Sequence, residues 1–518
     1  MEAGTLPRPL GPEQARAPAW ARQWWPLAAL TVLAAALRFS TLDLQSFWYD
    51  EAFTPVHVLV PSLITTLHEV ARTENTPPLW YVLVWGVSRT FGTGEVALRS
   101  VSALAGVAAV PVVWGIGQEL AGRRAALLAG AFVAVNPIFI WYSQEARAYE
   151  LYVLTFALAM LTFLRAERQP SGRRMAAFAL CGALALVSHY FAVFMVAPMA
   201  LWLARPRAPA GVPGSDAPPR TPAQARAARE ALLAVGAVGA ALVPLVVVQG
   251  GHGTQWIGEW PLSSRLQAIP QNYLTGYNGA RLGHGIEAAV ALVALAGVLW
   301  GLWRGLEREE ERGALTALAI AACGILIPLA AVTVGADYLA PRNLIAAMVP
   351  VSALLAVVIG ARRAGAAGMA LGALLAAAFL ALSIDVNLSP TLQRGNWRGL
   401  ARALGPASGL GPASGPRAVD TPQLGGAPLL YYLPSLRLLP GHAQLRLSEI
   451  DAVGFAPLRA TAGRPPSGAF HLAGRRDIDG LIVYRFVAPH PVNVSSGTVR
   501  HASIVHGHTE VLTGPGAL

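Results

Sequence analysis

Long apolar runs recur from about residue 24 to residue 383, and short arginine-bearing polar stretches interrupt them. Each run is near the length a helix needs to cross a bilayer. The pattern predicts a polytopic α-helical membrane protein, and the arginines sort its loops by side. A first span runs from about Trp24 to Leu42. The next is placed at about Ala97–Leu120, ending at Gly122-Arg123-Arg124, and a third at 125–141. Further spans follow at 149–164, 175–188, 191–203, 231–249, 286–303, 314–334, 343–360 and 365–383. These make about eleven transmembrane helices. Every arginine-rich loop then lies on one side, provided that the short apolar stretch 79–91 does not cross. That stretch is therefore expected to be a re-entrant or interfacial helix, as is the mixed segment 56–76.

Composition sharpens this picture. The chain has 518 residues, 54% hydrophobic and 13% charged, against about 25% charge in a soluble domain. Its mean hydropathy is +0.48. The net charge of +11 comes entirely from arginine. It falls in short loops between spans, so it implies topology rather than nucleic acid as a partner. Cys181 and Cys323 lie inside predicted spans and form no disulfide or metal framework. The first apolar stretch is read as a span, since no small-residue cleavage site follows it. Segment 205–229 reads as a flexible cytoplasmic linker. The expected division is a transmembrane domain over 1–384, with an outer loop 43–96, and a small extracytoplasmic α/β domain over 385–518. The last stretch of that domain, from about 490, reads as weakly ordered.

The chemistry gathers where spans end on the arginine-poor side. Phe47-Trp48-Tyr49-Asp50-Glu51-Ala52-Phe53-Thr54 follows the first span directly, and carboxylates at a bilayer boundary are costly unless used. The same side receives Gln144-Glu145-Ala146-Arg147, His189-Tyr190, and Asp337-Tyr338 with Arg342. Each group alone reads as a headgroup-facing loop. Together, arginines and carboxylates on one leaflet suit an anionic lipid-linked substrate. Arg147 and Arg342 are candidates to hold its phosphate, and Asp50 is the candidate base for an acceptor hydroxyl. Adjacency of Asp50 and Glu51 is expected to raise one of their pKa values.

Several motifs in order resemble a known family. They are Trp48-Tyr49-Asp50-Glu51-Ala52-Phe53, Pro77-Pro78-Leu79-Trp80-Tyr81, Ala97-Leu98-Arg99-Ser100, Gly122-Arg123-Arg124 and Tyr142-Ser143-Gln144-Glu145-Ala146-Arg147. They are similar to the bacterial branch of the GT-C glycosyltransferases, the clan of protein O-mannosyltransferases and lipid A aminoarabinose transferases. The resemblance is clear over about 24–205 and weaker beyond. It implies an inverting transferase with a polyprenyl-phosphate sugar as donor. The acceptor would be a glycan, lipid or protein, and the chemistry would face outside a bacterial inner membrane. It implies Asp50 as base, Glu51 beside it as a group that orients the acceptor or binds a cation, Glu145 shaping the site, and Arg342 on the lipid phosphate. Tyr49, His189, Tyr190 and Tyr338 are the candidate substrate-binding residues, and Arg394, Trp397 and Arg398 look like the juxtamembrane segment after the last span. A divalent metal ion is an open expectation, with Glu51 and Glu145 as possible ligands; His506-x-His508 reads as incidental. The rival readings are a transporter or flippase of lipid-linked sugars, a polysaccharide polymerase or ligase of another fold, and a scaffold displaying residues 385–518.

Overall fold

In the computed structural model, described for residues 19–207, 219–277, 281–405, 415–439, 442–456, 463–505 and 507–517, the chain is a helical bundle carrying a small β-sheet unit. Each predicted span coincides with a helix or a bent helix pair. Among the described residues, seven helices are long and apolar enough to cross a membrane, or eight when the bent pair Arg123–Val135 and Pro137–Ser143 is counted as one span. Trp24–Phe39 and Tyr190–Ala204 are shorter apolar helices. The stretch expected not to cross is the helix Leu79–Phe91. Thirteen residues extend roughly 20 Å at 1.5 Å per residue, short of a hydrocarbon core of about 30 Å.

The segment read as a linker over 205–229 needs correction at its end. A helix begins at Pro222, with Thr221 capping it and Gln224 completing the capping box. Proline at the first helical position costs no hydrogen bond. The central part of that segment lies outside the described residues.

The bend of 53° after Val135 has a chemical cause. Pro137 has no N–H, so the Val133 carbonyl loses its helical partner. Arg38, buried within the first span, supplies one. Its guanidinium donates to the Val133 carbonyl at 3.0 Å and to the Ala134 carbonyl at 2.8 Å. Ser383 donates to the Val135 carbonyl at 2.9 Å, and Asn136 caps the second half by accepting from the Ile138 N–H. A charge that would be expensive inside a membrane is thereby fully used. Arg38 also donates to Ser143 Oγ at 2.9 Å, and the Gln144 side chain donates to the Leu37 and Arg38 carbonyls. The loop 144–147 is thus tied to the end of the first span.

The C-terminal sheet has six strands: β1 Arg417–Pro422, β2 Arg437–Leu438, β3 Gln444–Phe455, β4 His471–Ile478, β5 Leu481–Ser495 and β6 Thr509–Thr513. Their order is β2-β6-β1-β3-β5-β4, with β1 parallel to β3 and the remaining pairs antiparallel. The helix Trp397–Leu404 buries Trp397, Leu400 and Leu404 against Val419, Val453 and Val483. The end of the chain, expected to be weakly ordered from about 490, instead supplies β6 between β1 and β2. Its two partners come from earlier in the chain, so its short apolar run gives no local sign of a strand. The unit docks on the segment 43–96. Phe47 meets Tyr431 edge-on at 5.1 Å, Arg398 pairs with Glu95, and the Trp397 N–H donates to Ser46 Oγ.

Gly106 lies where the helix Glu95–Ala121 crosses the Arg38–Ser143 pair. A Cβ there would stand 2.1 Å from Ser143 Oγ and 2.7 Å from Arg38 Nε. Gly106→Val is expected to lower stability by about 1–3 kcal/mol through overpacking, read as a lower melting temperature of the detergent-purified protein.

Candidate functional site

Asp50 and Glu51 open the five-residue helix Tyr49–Phe53. Consecutive helical residues do not face each other, so the two carboxylates go different ways. Glu51 turns inward and is fully buried. Its Oε1 accepts from Arg99 Nε at 2.7 Å and from the Ala146 N–H at 2.8 Å, and its Oε2 from Arg99 Nη2 at 2.6 Å. Arg99 also donates to the carbonyls of Leu42, Gln45 and Ser46. One ion pair therefore joins the helix Glu95–Ala121, the loop after the first span, and the loop 144–147. Burial alone would raise the Glu51 pKa, but Arg99 and the Ala146 N–H hold it below the usual carboxylate value. For Glu51 the shift is therefore opposite to a rise from its acidic neighbour. Both oxygens of Glu51 serve as a structural clamp.

Asp50 turns the other way. Its Oδ2 accepts from Arg342 Nη1 at 2.8 Å, and both side chains stay partly open, 18% and 20% exposed. Arg342 stands over the Trp256 ring at 4.9 Å and the Tyr149 ring at 5.9 Å. It lines a cavity of about 420 Å³ together with His189, Tyr190, Trp256 and Tyr338. The rest of the wall is apolar, with Leu186, Phe191, Phe194, Leu242, Val243 and Val246 from the neighbouring membrane helices. The cavity is thus polar and cationic at one end and greasy along its length. The Tyr190 hydroxyl donates to Gln249 Oε1 at 2.6 Å, and Gln249 in turn donates to the Val70 and Thr76 carbonyls. His189 stacks on Tyr152 at 4.7 Å and accepts from the Phe191 N–H. Tyr49 meets Trp48 with the rings tilted at 51° and lies off the cavity wall.

Two other candidate residues are committed elsewhere. Arg147 makes a bidentate pair with Glu74 at 3.2 and 3.0 Å, and its side chain is 9% exposed. That geometry fixes the segment before Leu79 rather than presenting a cation to the cavity. Asp337 is held by Arg265 at 2.6 and 2.9 Å, not by nearby Arg342. That hydrogen-bonded pair lowers its pKa.

Glu145 is the unusual acid. It is buried, and its Oε2 accepts from Arg394 Nη2 at 2.6 Å, while its Oε1 has no hydrogen-bond partner among the described residues. Arg394 is sandwiched over Trp141 at 4.1 Å and Trp48 at 5.6 Å. Burial outweighs the attraction of Arg394, and with repulsion from Glu51 and Asp50 the Glu145 carboxyl is pushed up to about 7. Among the described residues, no three His, Cys, Asp or Glu side chains gather as a metal site; His506 lies outside them.

Sequence reading missed Glu74 and Arg265 as partners of Arg147 and Asp337, Arg99 as the partner of Glu51, and Trp256 as the ring under Arg342. An excess of arginines and acids at the same span ends was the available signal, but sequence spacing does not say which pairs meet.

Comparisons with known proteins bear on the same stretch. Residues 75–209 match the family described as dolichyl-phosphate-mannose-protein mannosyltransferase. No curated protein matches the chain. Among solved structures the chain is similar to the archaeal oligosaccharyltransferase AglB from Archaeoglobus fulgidus, in complex with an inhibitory peptide and a dolichol-phosphate. Identity is 16% over 74% of this chain and 58% of that one, with a TM-score of 0.45. It is also similar to ArnT from Cupriavidus metallidurans bound to undecaprenyl phosphate, at 11% identity over 90% and 98% of the two chains and a TM-score of 0.34. A third similarity is to the S. cerevisiae protein O-mannosyltransferase Pmt1-Pmt2 complex bound to the sugar donor, at 17% identity over 44% and 33%, with a TM-score of 0.33. The chain spans 58% of the length of the archaeal protein. The fold defined here is that of a polytopic helical membrane protein, in which residues 75–209 match the mannosyltransferase family model. The matched stretch includes Arg99, Glu145, Arg147 and His189, while Asp50 and Arg342 fall outside it.

Two outcomes are expected. Glu51→Gln strands Arg99 without its counter-charge and is expected to cost about 3–5 kcal/mol, seen as loss of monodisperse folded protein. For Glu145 the pH dependence has a definite sign. Its ordinary pKa is 4.5 and its folded value about 7. Between these the unfolded chain has released the proton and the folded chain has not, so stability falls as pH rises through that window and levels off above it. In melting curves taken across pH, the difference between Glu145→Gln and the parent should move in the variant's favour from pH 4.5 to 7 and stay flat above.

Proposed function

We propose that this chain is an integral-membrane glycosyltransferase that moves a sugar from a polyprenyl-phosphate donor to an acceptor hydroxyl. The observation that carries this reading is Arg342 in the wall of the amphipathic cavity, with Asp50 held on its Nη1 at 2.8 Å. A polyprenyl phosphate has the same two parts, an anionic head and a long apolar tail. The cavity volume of about 420 Å³ lies within the range of small-molecule sites, about 300–1,000 Å³.

In this reading Arg342 binds the donor phosphate. Among the described residues only its Nη1 is committed to a hydrogen bond, to Asp50, and a guanidinium carries five N–H donors. Asp50 accepts the proton of the acceptor hydroxyl as its oxygen attacks the sugar C1 from the face opposite the phosphate. The C1–O bond to phosphate breaks, and the configuration inverts. Negative charge grows on the leaving oxygen, where the fixed cation stabilises it. The pairing links the two roles, because a phosphate competes with Asp50 for the guanidinium and so releases the base. Tyr338, His189 and Tyr190 line the path of the donor. A divalent cation at Glu51 or Glu145 would have to displace Arg99 or Arg394. The arginine-poor end is the outward one by the loop-charge rule.

The flippase reading draws less support. Asp50 sits in the segment following the first span, at the end of the bundle with the outer loops, and not in a broken helix at mid-membrane.

The test is incubation of purified protein with a panel of polyprenyl-phosphate sugars and mass spectrometry of the products. Transfer from at least one donor is expected, and none from any member of a broad panel argues for the carrier. Asp50→Asn should cut transfer by about 10²–10⁴-fold while leaving folding intact, because Asp50 is partly open. Arg342→Ala should weaken donor binding; full activity in the first variant or unchanged donor affinity in the second removes that residue from the site.

A further inference from the structure

His189 sits in the connection between the helices Gly172–Ser188 and Tyr190–Ala204 and lines the cavity together with Arg342. Both side chains border one ring. The Arg342 guanidinium stands 5.9 Å, and the His189 ring 6.0 Å, from the centre of the Tyr149 ring. Two contacts hold the imidazole. It stacks on Tyr152 at 4.7 Å with the planes 12° apart, and its Nδ1 accepts from the Phe191 N–H at 3.2 Å. The stack sets the plane of the ring, and the hydrogen bond sets its rotation within that plane. The same bond fixes the tautomer. A ring nitrogen that accepts carries no proton, so in the neutral imidazole the proton is on Nε2. Burial, and then the charges of Arg342 and Arg147, push the His189 pKa down to about 3, so the ring stays neutral at working pH. Among the described residues that Nε2–H meets no acceptor.

We infer that His189 Nε2–H donates a hydrogen bond to the phosphate of the lipid-linked donor, beside Arg342; this rests on the glycosyltransferase reading. Charge matching favours it. The phosphate that joins a prenyl chain to a sugar is a diester with a single negative charge, and Arg342 supplies a single positive one. A neutral N–H adds a directed bond to a second phosphate oxygen without adding charge. Because Nε2 already carries its proton and Nδ1 is engaged by Phe191, His189 has no site to take a proton from the acceptor, and that role stays with Asp50. When the C1–O bond to phosphate breaks, the leaving phosphate gains negative charge. The hydrogen bond strengthens with it, so His189 contributes more in the transition state than in the bound donor.

Two variants separate this role from a structural one. In His189→Asn the amide oxygen takes the place of Nδ1 and keeps the cap on Phe191, as asparagine does well, but no donor reaches the place of Nε2. In His189→Gln the amide N–H reaches that place and the cap is weakened. Full-length detergent-purified protein is titrated with undecaprenyl phosphate and with undecaprenyl phosphoryl mannose, and binding is read by native mass spectrometry beside melting curves. His189→Asn should bind both lipids roughly ten- to hundredfold more weakly, the range of a hydrogen bond to a charged group, with its melting temperature kept. His189→Gln should bind them as the parent does and melt lower. Unchanged binding in His189→Asn, or weaker binding in His189→Gln than in His189→Asn, would overturn the inference. A loss confined to the mannose-bearing lipid would overturn the phosphate as the partner of Nε2. A parent protein that binds neither lipid would overturn the glycosyltransferase reading itself, and this inference with it.

Discussion

The pairing of Arg99 with Glu51 is the constraint on which the arginine-poor end of the bundle depends. It takes two full charges out of water, and such a pair is tolerable only when every remaining donor and acceptor is used. Here they are: Arg99 reaches three carbonyls of the loop 42–46, and Glu51 also accepts the Ala146 N–H. Three segments far apart in sequence are fixed in one geometry. The direction of Asp50 follows, because the residue before Glu51 on a helical turn must point away from the clamp.

The other ion pairs at this end divide labour by exposure. Arg147–Glu74 and Arg394–Glu145 are almost fully buried and hold loops in place. Asp50–Arg342 stays partly open, as does Arg398–Glu95, and Arg342 also stands in the cavity wall. A buried pair resists exchange with a ligand, whereas an open pair trades partners at modest cost. Exposure together with position at the cavity distinguishes Asp50–Arg342 from the buried pairs.

The arginine-rich end is built differently. Arg362 meets Glu307 and Arg304 the Arg363 carbonyl at the surface, whereas Arg207 and Arg220 are buried beside Glu167 with Arg205 half open at its edge.

Much of the fold was legible in the chain. Apolar runs long enough to cross a bilayer, separated by arginine clusters, determined where the membrane helices lie and that Asp50 and Glu145 end up together, because the spacing of hydrophobic residues is a local property. The C-terminal sheet was legible only as a class, since β6 at Thr509–Thr513 is specified by partners elsewhere in the chain. The partition of roles among the charged residues was decided by tertiary structure alone. Sequence adjacency made Asp50 and Glu51 look like a coupled pair, yet consecutive helical residues face different ways, and each meets its own arginine. Arg147 and Arg342 read alike as phosphate ligands until Glu74 occupied one of them. Which acid meets which arginine depends on distances set by packing between remote helices, and that information is absent from any local stretch of sequence.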